Sequence, residues 1–556
     1  MGASPTLKSD PKSASAKPKL GLRAWMERVL VECDRAADGF DADAVHDLRV
    51  ALRRCRSLAD GLMAIDPNSS WKDMKKAGKK LFQALGELRD MQVMQEWIEN
   101  LSDTVDAAAA GDVDRRATTE NRGDRLPGDP ESGDPVASRV LDHVHGREVE
   151  CKQHAFKDLS QFDRKQWRQW SRSLPQRASR VRPGSVVYLH LALEKWTAAY
   201  ELHKHALRTR SQVSWHALRI GIKRFRYTVE NFLPRQHALW GDDLKELQNL
   251  LGEVHDLDVL WATAVGIAAF PDVEHQRHWR EKLNAERNQR IERYREKMVG
   301  RQSLWRVWRA ELPSGPQLRA AALSRLRVWA GFLDPDFSHS QRVAQLAILL
   351  YDGLQNAGLL TTGAEAANLD GNSRQSPNRN SQYDPQYDPR AVLQAAAVMH
   401  DVGKAKGSEN HQKTSYRMIR GMARPLGWSA RELELAAVVA RYHRGALPRA
   451  RGKTMQTVEL QDRPIAMELA GILRLANALD TGKGHGENER SRNEKENASG
   501  PRLEFGLQER SVVLRVAGYS PLDRSAEGVA AARHLLETVL HRPVLVRTLR
   551  TTSGAQ

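Results

Sequence analysis

Two groups of residues in this 556-residue chain have types and spacing that could do chemistry. The first is a row of cations. In Val45–Ser57, VHDLRVALRRCRS, a His is followed by Arg at +3, +7 and +10, giving His46, Arg49, Arg53 and Arg56. The pattern returns 170 positions later in Trp215–Tyr227, WHALRIGIKRFRY, as His216, Arg219, Lys223 and Arg226. At about 100° per residue, each set falls within roughly 80° on one line of a helix. Cations at fixed spacing suit a polyanion: Arg offers phosphate a planar fork, Lys a point charge, and His a charge tunable near neutrality. The plain alternative is a solvated helix face whose Arg stems cover apolar surface. The repetition of the full pattern favours binding.

The second group has metal-ligand character. Met399–Lys404 reads MHDVGK, and its adjacent His400 and Asp401 can reach one divalent cation. His339 in FSHSQRVAQLA and Asp480 in LRLANALD complete an H…HD…D set on three separated helices. Nitrogen with carboxylate suits Mn, Fe, Zn or Mg without choosing among them. A bound water of lowered pKa would be the nucleophile for phosphoester or phosphoanhydride hydrolysis, with His400, Asp401 and Lys404 as the catalytic candidates. His411 in NHQKTSY and His443 in ARYHRG could hold a second ion or a phosphate, or be hydrogen-bonded structural residues. Lys404, Arg441 and Arg444 could neutralise phosphate oxygens.

The elements that must position these groups are mostly helices. Beside each cationic line runs an apolar one: Leu48, Leu52, Cys55 and Ala59, then Leu218, Ile222, Phe225 and Val229. A second element also recurs, LGELRDMQV at Leu85–Val93 and LGEVHDLDV at Leu251–Val259, shifted by 166. Two elements repeated in one order imply two related helical bundles. Asp90 and Asp256 in these elements could orient the cations, or bridge helices. Helical patterns continue to about Leu312, where PSGP suggests a linker. Beyond it we expect helices at 318–330, 338–357, 391–400, 412–423, 430–442 and 465–479. A β-β-α-β cap follows, with strands at 503–507, 512–516 and 544–548 around a helix at 526–540. The fold class is therefore mainly α, with a small α/β cap. The expected domains are a helical one at 21–312 and a second at 318–550. A disordered tail at 1–20, an acidic insert at 102–137 and low-complexity inserts at 363–390 and 481–500 interrupt them.

The net charge of +17 calls for an acidic partner, and it is unevenly spread. Residues 151–230 carry 17 Lys/Arg against 5 Asp/Glu, whereas 102–137 carry 4 against 9. Lys75, Lys76, Lys79 and Lys80 join the binding candidates on charge alone. No run of about 18 apolar residues exists, so no membrane span or membrane partner is expected. Cys33, Cys55 and Cys151 have no metal-ligand spacing and cannot all pair, which points to a reducing cytoplasm.

On the two repeated elements, residues 21–300 resemble the CHAD family, the conserved histidine α-helical domain. That family is a helical duplication with a basic groove, associated with inorganic polyphosphate. The resemblance implies that His46, Arg49, Arg53, Arg56, His216, Arg219, Lys223 and Arg226 contact the ligand. Met91 and Gln92 depart from the second copy's Leu257 and Asp258. On HSQRVAQLA, MHDVGK, HQKTSYRMI, ARYHRG, LRLANALD and the terminal cap, residues 318–550 resemble the HD-type domain at the C-terminal side of exopolyphosphatases and guanosine pentaphosphate phosphohydrolases. In those enzymes exopolyphosphatase chemistry belongs to an upstream actin-like domain with Gly-rich phosphate loops, which these residues do not contain. Thr414 and Asn477 stand where relatives carry His and Asp.

Three functions follow as expectations. One is a polyphosphate-binding protein whose HD domain is a metal-dependent phosphohydrolase acting on polyphosphate or phosphorylated nucleotides. Another is a non-catalytic scaffold or sensor at polyphosphate granules. The third is nucleic-acid binding through the basic segment, for which Trp167, Trp170 and Tyr188 would supply stacking.

Overall fold

The structure is a computed structural model and describes residues 21–113, 134–360, 387–480, 502–523 and 525–549. The expected tail at 1–20 and the insert at 481–500 lie outside the described residues, as do 114–133 and 363–386 of the other two inserts. The chain divides into two compact units. The first comprises 1–64, 68–184 and 195–309, and the second is chiefly 310–556.

Helices in the first part of the chain are α1 (Leu22–Ala36), α2 (Ala42–Leu62), α3 (Ser69–Ala77), α4 (Lys79–Val113), α5 (Pro135–Ser160) and α6 (Arg164–Ala178). They continue as α7 (Val186–Thr209), α8 (Gln212–Phe232), α9 (Pro234–Gly266), α10 (Val273–Met298) and α11 (Leu304–Ala310). The repeat is structural. The cationic sequences form α2 and α8, each 21 residues long and offset by the same 170 positions. Each begins on a polar cap: Asp41 accepts from the amides of Asp43 and Ala44, and Ser211 from that of Ser214. Each buries its apolar line completely, Leu48, Leu52, Cys55 and Ala59 in one and Leu218, Ile222, Phe225 and Val229 in the other. The second repeated element lies on α4 and α9, where Leu85, Leu88, Leu251, Val254 and Leu257 are buried.

The two copies meet through α2 and α8. Near their C-terminal ends the Arg54 guanidinium pairs with Glu230 at 2.6 Å, and Asn231 Nδ2 donates to Ser57 Oγ at 3.0 Å. Gly61 lies under the Phe232 ring, where a Cβ would stand 2.2 Å from the ring edge. Only glycine allows that approach.

The second unit contains α12 (Gly315–Leu333), α13 (Phe337–Asn356), α14 (Pro389–Met399), α15 (His411–Gly421), α16 (Ala430–Arg441) and α17 (Arg463–Asp480). Its centre is α14, PRAVLQAAAVM, apolar nearly all round and buried from Ala395 to Met399. A short 3₁₀ turn, Val402–Lys406, follows it. The cap is β1 (Leu503–Gln508), β2 (Ser511–Val516), α18 (Ser525–Leu540) and β3 (Val544–Thr548). The strand order is β1-β2-β3, with β1 antiparallel and β3 parallel to β2. The mainly α fold with its β-β-α-β cap is thus observed. No helix among the described residues is long and apolar enough to cross a membrane.

The cap is fastened to the helical bundle by α18 lying close on α17. A Cβ on Gly471 would stand 3.1 Å from Leu536 Cα and 3.2 Å from its nitrogen. Backbone cannot yield as a side-chain tip can, so Gly471→Val should cost about 1–3 kcal/mol. A lowered urea midpoint, with the slope unchanged, is the measurement that checks this.

Candidate functional site

In the first unit the two cationic rows converge. Lys223 on α8 is pushed down to about 8, first by burial and then by repulsion from Arg219, Arg53 and Arg49. Two of those three cations belong to the other copy, so α2 and α8 direct their charges into one space. Tyr227 marks its centre: Arg53 of one copy stands 5.9 Å from its ring centroid and Lys223 of the other 6.0 Å. The Tyr227 hydroxyl and Arg53 Nε are buried without hydrogen-bond partners. Buried polar groups are seldom left so, and an anion would complete them.

Other members of the rows are partly committed to the fold. Arg49 Nη1 donates to the Leu85 carbonyl at 2.7 Å, and Arg56 Nη1 to that of Lys75 at 3.0 Å. Both guanidinium groups lie over the Phe82 ring, at 5.5 and 5.0 Å. These two therefore cover apolar surface as well as carrying charge. Arg226 sits 3.8 Å from Glu230. His46 and His216 are exposed at corresponding positions. The His216 ring packs on His255, with Nδ1 atoms 3.3 Å apart. His255 is pushed down to about 4 by burial, Arg219, His216 and Lys223. Lys75 pairs with Asp60, while Lys76, Lys79 and Lys80 are exposed.

Asp90 and Asp256 face this charge without forming an ion pair to the rows among the described residues. Burial raises both; the field of Arg49, Arg219 and Lys223 opposes the rise at Asp90, and that of Arg219 at Asp256, which still reaches about 6. The cations are thus only partly compensated. Tyr227 and His255 were not singled out from the sequence. Both lie inside the repeated stretches, and that was the signal available for them. Of the three aromatics named for base stacking, Trp167 and Tyr188 are buried, at 0% and 2% exposure, while Trp170 is half-buried and packs edge-on against Trp167 at 6.4 Å.

In the second unit every candidate ligand stands at or beside a helix end. His339 opens α13 in a turn capped by Asp336, His400 and Asp401 follow α14, His411 begins α15, His443 follows α16, and Asp480 ends α17. His400, His411 and His443 share one device. The Nδ1 of each lies against the carbonyl three residues back, on Ala397, Ser408 and Ala440, at 2.7, 2.8 and 2.8 Å. A carbonyl only accepts, so each Nδ1 carries the proton and each Nε2 faces inward.

What they face is Asp401. Its Oδ1 is 3.0 Å from His411 Nε2 and 3.7 Å from His443 Nε2. Its Oδ2 is 3.3 Å from His400 Nε2 and 3.9 Å from His339 Nε2. Burial opposes ionisation of Asp401, but the imidazoles of His400, His411 and His443 outweigh it and hold the carboxyl well below the usual range. His443 is pushed well below its ordinary value, first by burial and then by the charge of His400. A neutral His443 presents a bare lone pair, 3.2 Å from His411 Nε2. His400 Nε2 is buried without a hydrogen-bond partner. Ligand atoms crowded this way need protons or a cation among them. Two overlapping triads have metal-holding spacing: His339, His400 and Asp401, and Asp401, His411 and His443.

Gly403 allows this crowding. A Cβ there would lie 2.2 Å from the His411 carbonyl oxygen and 2.6 Å from the Ser415 nitrogen. The Gly403 amide instead donates to Ser415 Oγ at 2.8 Å, seating the HDVGK turn on α15. Lys404 pairs with Asp401. Asp480 is placed against His339 Nδ1 at 2.6 Å and takes Arg342 Nε and Nη2 at 2.8 and 2.9 Å. In that geometry it orients His339, and Asn477 Oδ1 stands 3.0 Å from His339 Nε2. Arg441 has a buried Nη1 without a hydrogen-bond partner and lies 5.4 Å from the Tyr442 ring, while Arg444 is exposed. Arg342 was not singled out from the sequence. It lies on α13 in the same HSQRVAQLA stretch as His339.

Residues 21–265 match the family described as CHAD domain, and residues 330–510 match that described as Ppx/GppA phosphatase, domain III. A comparison with curated proteins returned no match. The two family matches are consistent with a polyphosphate-related function.

The depressed pKa of Lys223, owed to burial first and then to repulsion, has an energetic consequence. Its folded pKa lies below the unfolded one, so the folded state is destabilised while the group is protonated, and stability is regained as pH rises from about 8 towards the unfolded value. Lys223→Met should therefore stabilise the free protein, on the order of 1 kcal/mol. It should also weaken polyanion binding. Thermal melts with and without polyphosphate check both signs.

Proposed function

We propose that this protein binds inorganic polyphosphate through the paired cationic rows, and that its second unit is a metal-dependent phosphohydrolase of the HD type. The binding reading is carried by the partly compensated charge around Tyr227. Burial first, and then repulsion from Arg219 of its own copy and Arg53 and Arg49 of the other, depresses the pKa of Lys223, and a bound polyanion would reverse the repulsive part. The family matches supply the choice of polyphosphate among polyanions. With Trp167 and Tyr188 buried, the half-buried Trp170 is left as one stacking surface where single-stranded nucleic acid would need several.

The hydrolytic reading rests on the Asp401 group. His339, His400 and Asp401 would hold one divalent ion, and His411 and His443 a second through the other oxygen of Asp401. Imidazole-rich ligation favours Mn, Fe or Zn over Mg. When bound, such an ion lowers the pKa of a water and offsets phosphate charge. The chain's own residues do the rest. The three Nδ1–carbonyl contacts fix the imidazole edges, Asp480 with Arg342 steadies His339, and Lys404 balances Asp401. Arg441 and Arg444 would receive phosphate oxygens. The substrate is polyphosphate or a phosphorylated nucleotide, cleaved by water at a P–O bond.

One observation favours a second reading. His339, His400, Asp401, His411, His443 and Asp480 are each no more than 8% exposed. A metal so enclosed would suit a structural or sensing role, in a scaffold that attaches to polyphosphate granules.

A metal-supplemented phosphatase panel separates the two. The hydrolytic reading expects phosphate release from polyphosphate or a nucleotide with Mn, and its loss in the His400→Ala, Asp401→Ala double variant. Equal release by the double variant would refute it. Metal retained by the unaltered protein, with no turnover of any substrate, would support the sensing role.

A further inference from the structure

The two copies differ sharply where the chain leaves the cationic helix. In the second copy, α9 runs unbroken from Pro234 through the repeated element, and its early turns carry Asp242, Asp243 and Glu246. In the first copy the same stretch is split at Gly78 into α3 and the start of α4, and is basic. Lys72, Lys76, Lys79 and Lys80 are all exposed there, and Asp73 is the acid among them. This stretch adjoins the row directly, since Arg56 Nη1 donates to the Lys75 carbonyl at 3.0 Å.

On its other side the stretch abuts α6. A Cβ on Gly78 would lie 3.7 Å from the Trp167 ring, which is buried and anchored by its Nε1 donating to the Met26 carbonyl at 3.0 Å. The α6 sequence RKQWRQWSRSLPQRA holds five cations and no acid. Trp167, Ser171 and Leu174 form its buried line. Lys165, Arg168 and Arg172 form a separate exposed line at i, i+3 and i+7, and none of their side chains has an ion-pair or hydrogen-bond partner among the described residues. A solvated helix face normally mixes both signs; this one does not.

We infer that the basic face of α3, the start of α4 and α6 is a one-sided extension of the paired rows, which leads a long phosphate chain away from the first copy. The inference rests on the polyphosphate reading and adds a chain-length preference to it. Short chains fill the space between α2 and α8. Longer chains also lie along α6, a helix of 15 residues and therefore about 22 Å long. A phosphate chain is favoured over nucleic acid on this face because Trp167 is buried, and the half-buried Trp170, packed edge-on against it at 6.4 Å, is α6's one remaining aromatic.

The test uses the full chain and polyphosphate of two lengths, about 10 and about 100 phosphates, titrated over a salt series. Three variants are compared: Lys165→Ser, Arg168→Ser, Arg172→Ser; Lys76→Ser, Lys79→Ser, Lys80→Ser; and a control of equal charge loss in the second unit, Arg424→Ser, Arg449→Ser, Arg451→Ser. All nine positions are exposed, so each variant should fold. The first two should bind long chains roughly tenfold more weakly, with a salt slope smaller by about 2, and bind short chains as the unaltered protein does. The control should change neither. Equal loss for both lengths, no loss for either, or the same loss in the control would overturn the extension. So would tighter binding of single-stranded RNA than of long polyphosphate, lost in the α6 variant. Failure of the unaltered protein to bind either length would remove the polyphosphate reading itself, and the extension with it.

Discussion

The first unit is organised around a repulsion that its packing overrides. Two helices of like charge are held together at their C-terminal ends by the Arg54–Glu230 pair, the Ser57–Asn231 hydrogen bond and the seat of Phe232 on Gly61. Their completely buried apolar lines instead anchor each helix within its own surroundings, Phe225 packing on Trp240 and Trp308 and Leu52 lying against Gly78, with each large buried side chain contributing about 1.5–3 kcal/mol. Left to themselves the cations would separate the helices. Held together, they form a charged space whose stability improves when an anion enters. Asp90 and Asp256 temper that field, and burial keeps their own carboxyls raised. The site is thus strained electrostatically in the free protein, and a polyanion relieves the strain.

The second unit uses a different constraint with a similar result. Three backbone carbonyls dictate where three imidazoles keep their Nδ1 protons. Their inward edges then meet at one carboxylate, where ordinary hydrogen bonding leaves His400 Nε2 without a partner. Gly403 makes the approach sterically possible. Protons at these edges are what a divalent cation would displace, so metal uptake should be coupled to proton release. The first unit therefore gives up folding stability to hold cations together, whereas the second gathers imidazole edges around one ionised carboxylate.

The sequence carried the periodic features well and the tertiary ones poorly. The equal offset of α2 and α8 was legible because a repeat in helical phase preserves both the buried line and the cationic line. The β-β-α-β cap was legible from short β-branched runs, such as SVVLRV, around one helical segment. Convergence of the two rows was not legible. Nothing local states that Arg53 and Lys223 share Tyr227, or that Arg49 and Arg56 also reach the carbonyls of Leu85 and Lys75. Likewise MHDVGK announced His400 and Asp401, but only the helix ends bring His411 and His443 to the other oxygen of Asp401. Asp480 was weighed as a ligand on sequence; its contacts with His339 and Arg342 depend on how α13 and α17 pack.

The central claim is that two copies of one helix hold their cations close enough to disfavour charge until a polyphosphate arrives. The most direct measurement is the titration of the Lys223 ammonium by nitrogen-detected NMR, with and without polyphosphate. The account predicts a midpoint near 8 in the free protein, raised on binding. A midpoint at the ordinary lysine value, about 10.4, that polyphosphate leaves unmoved would contradict it.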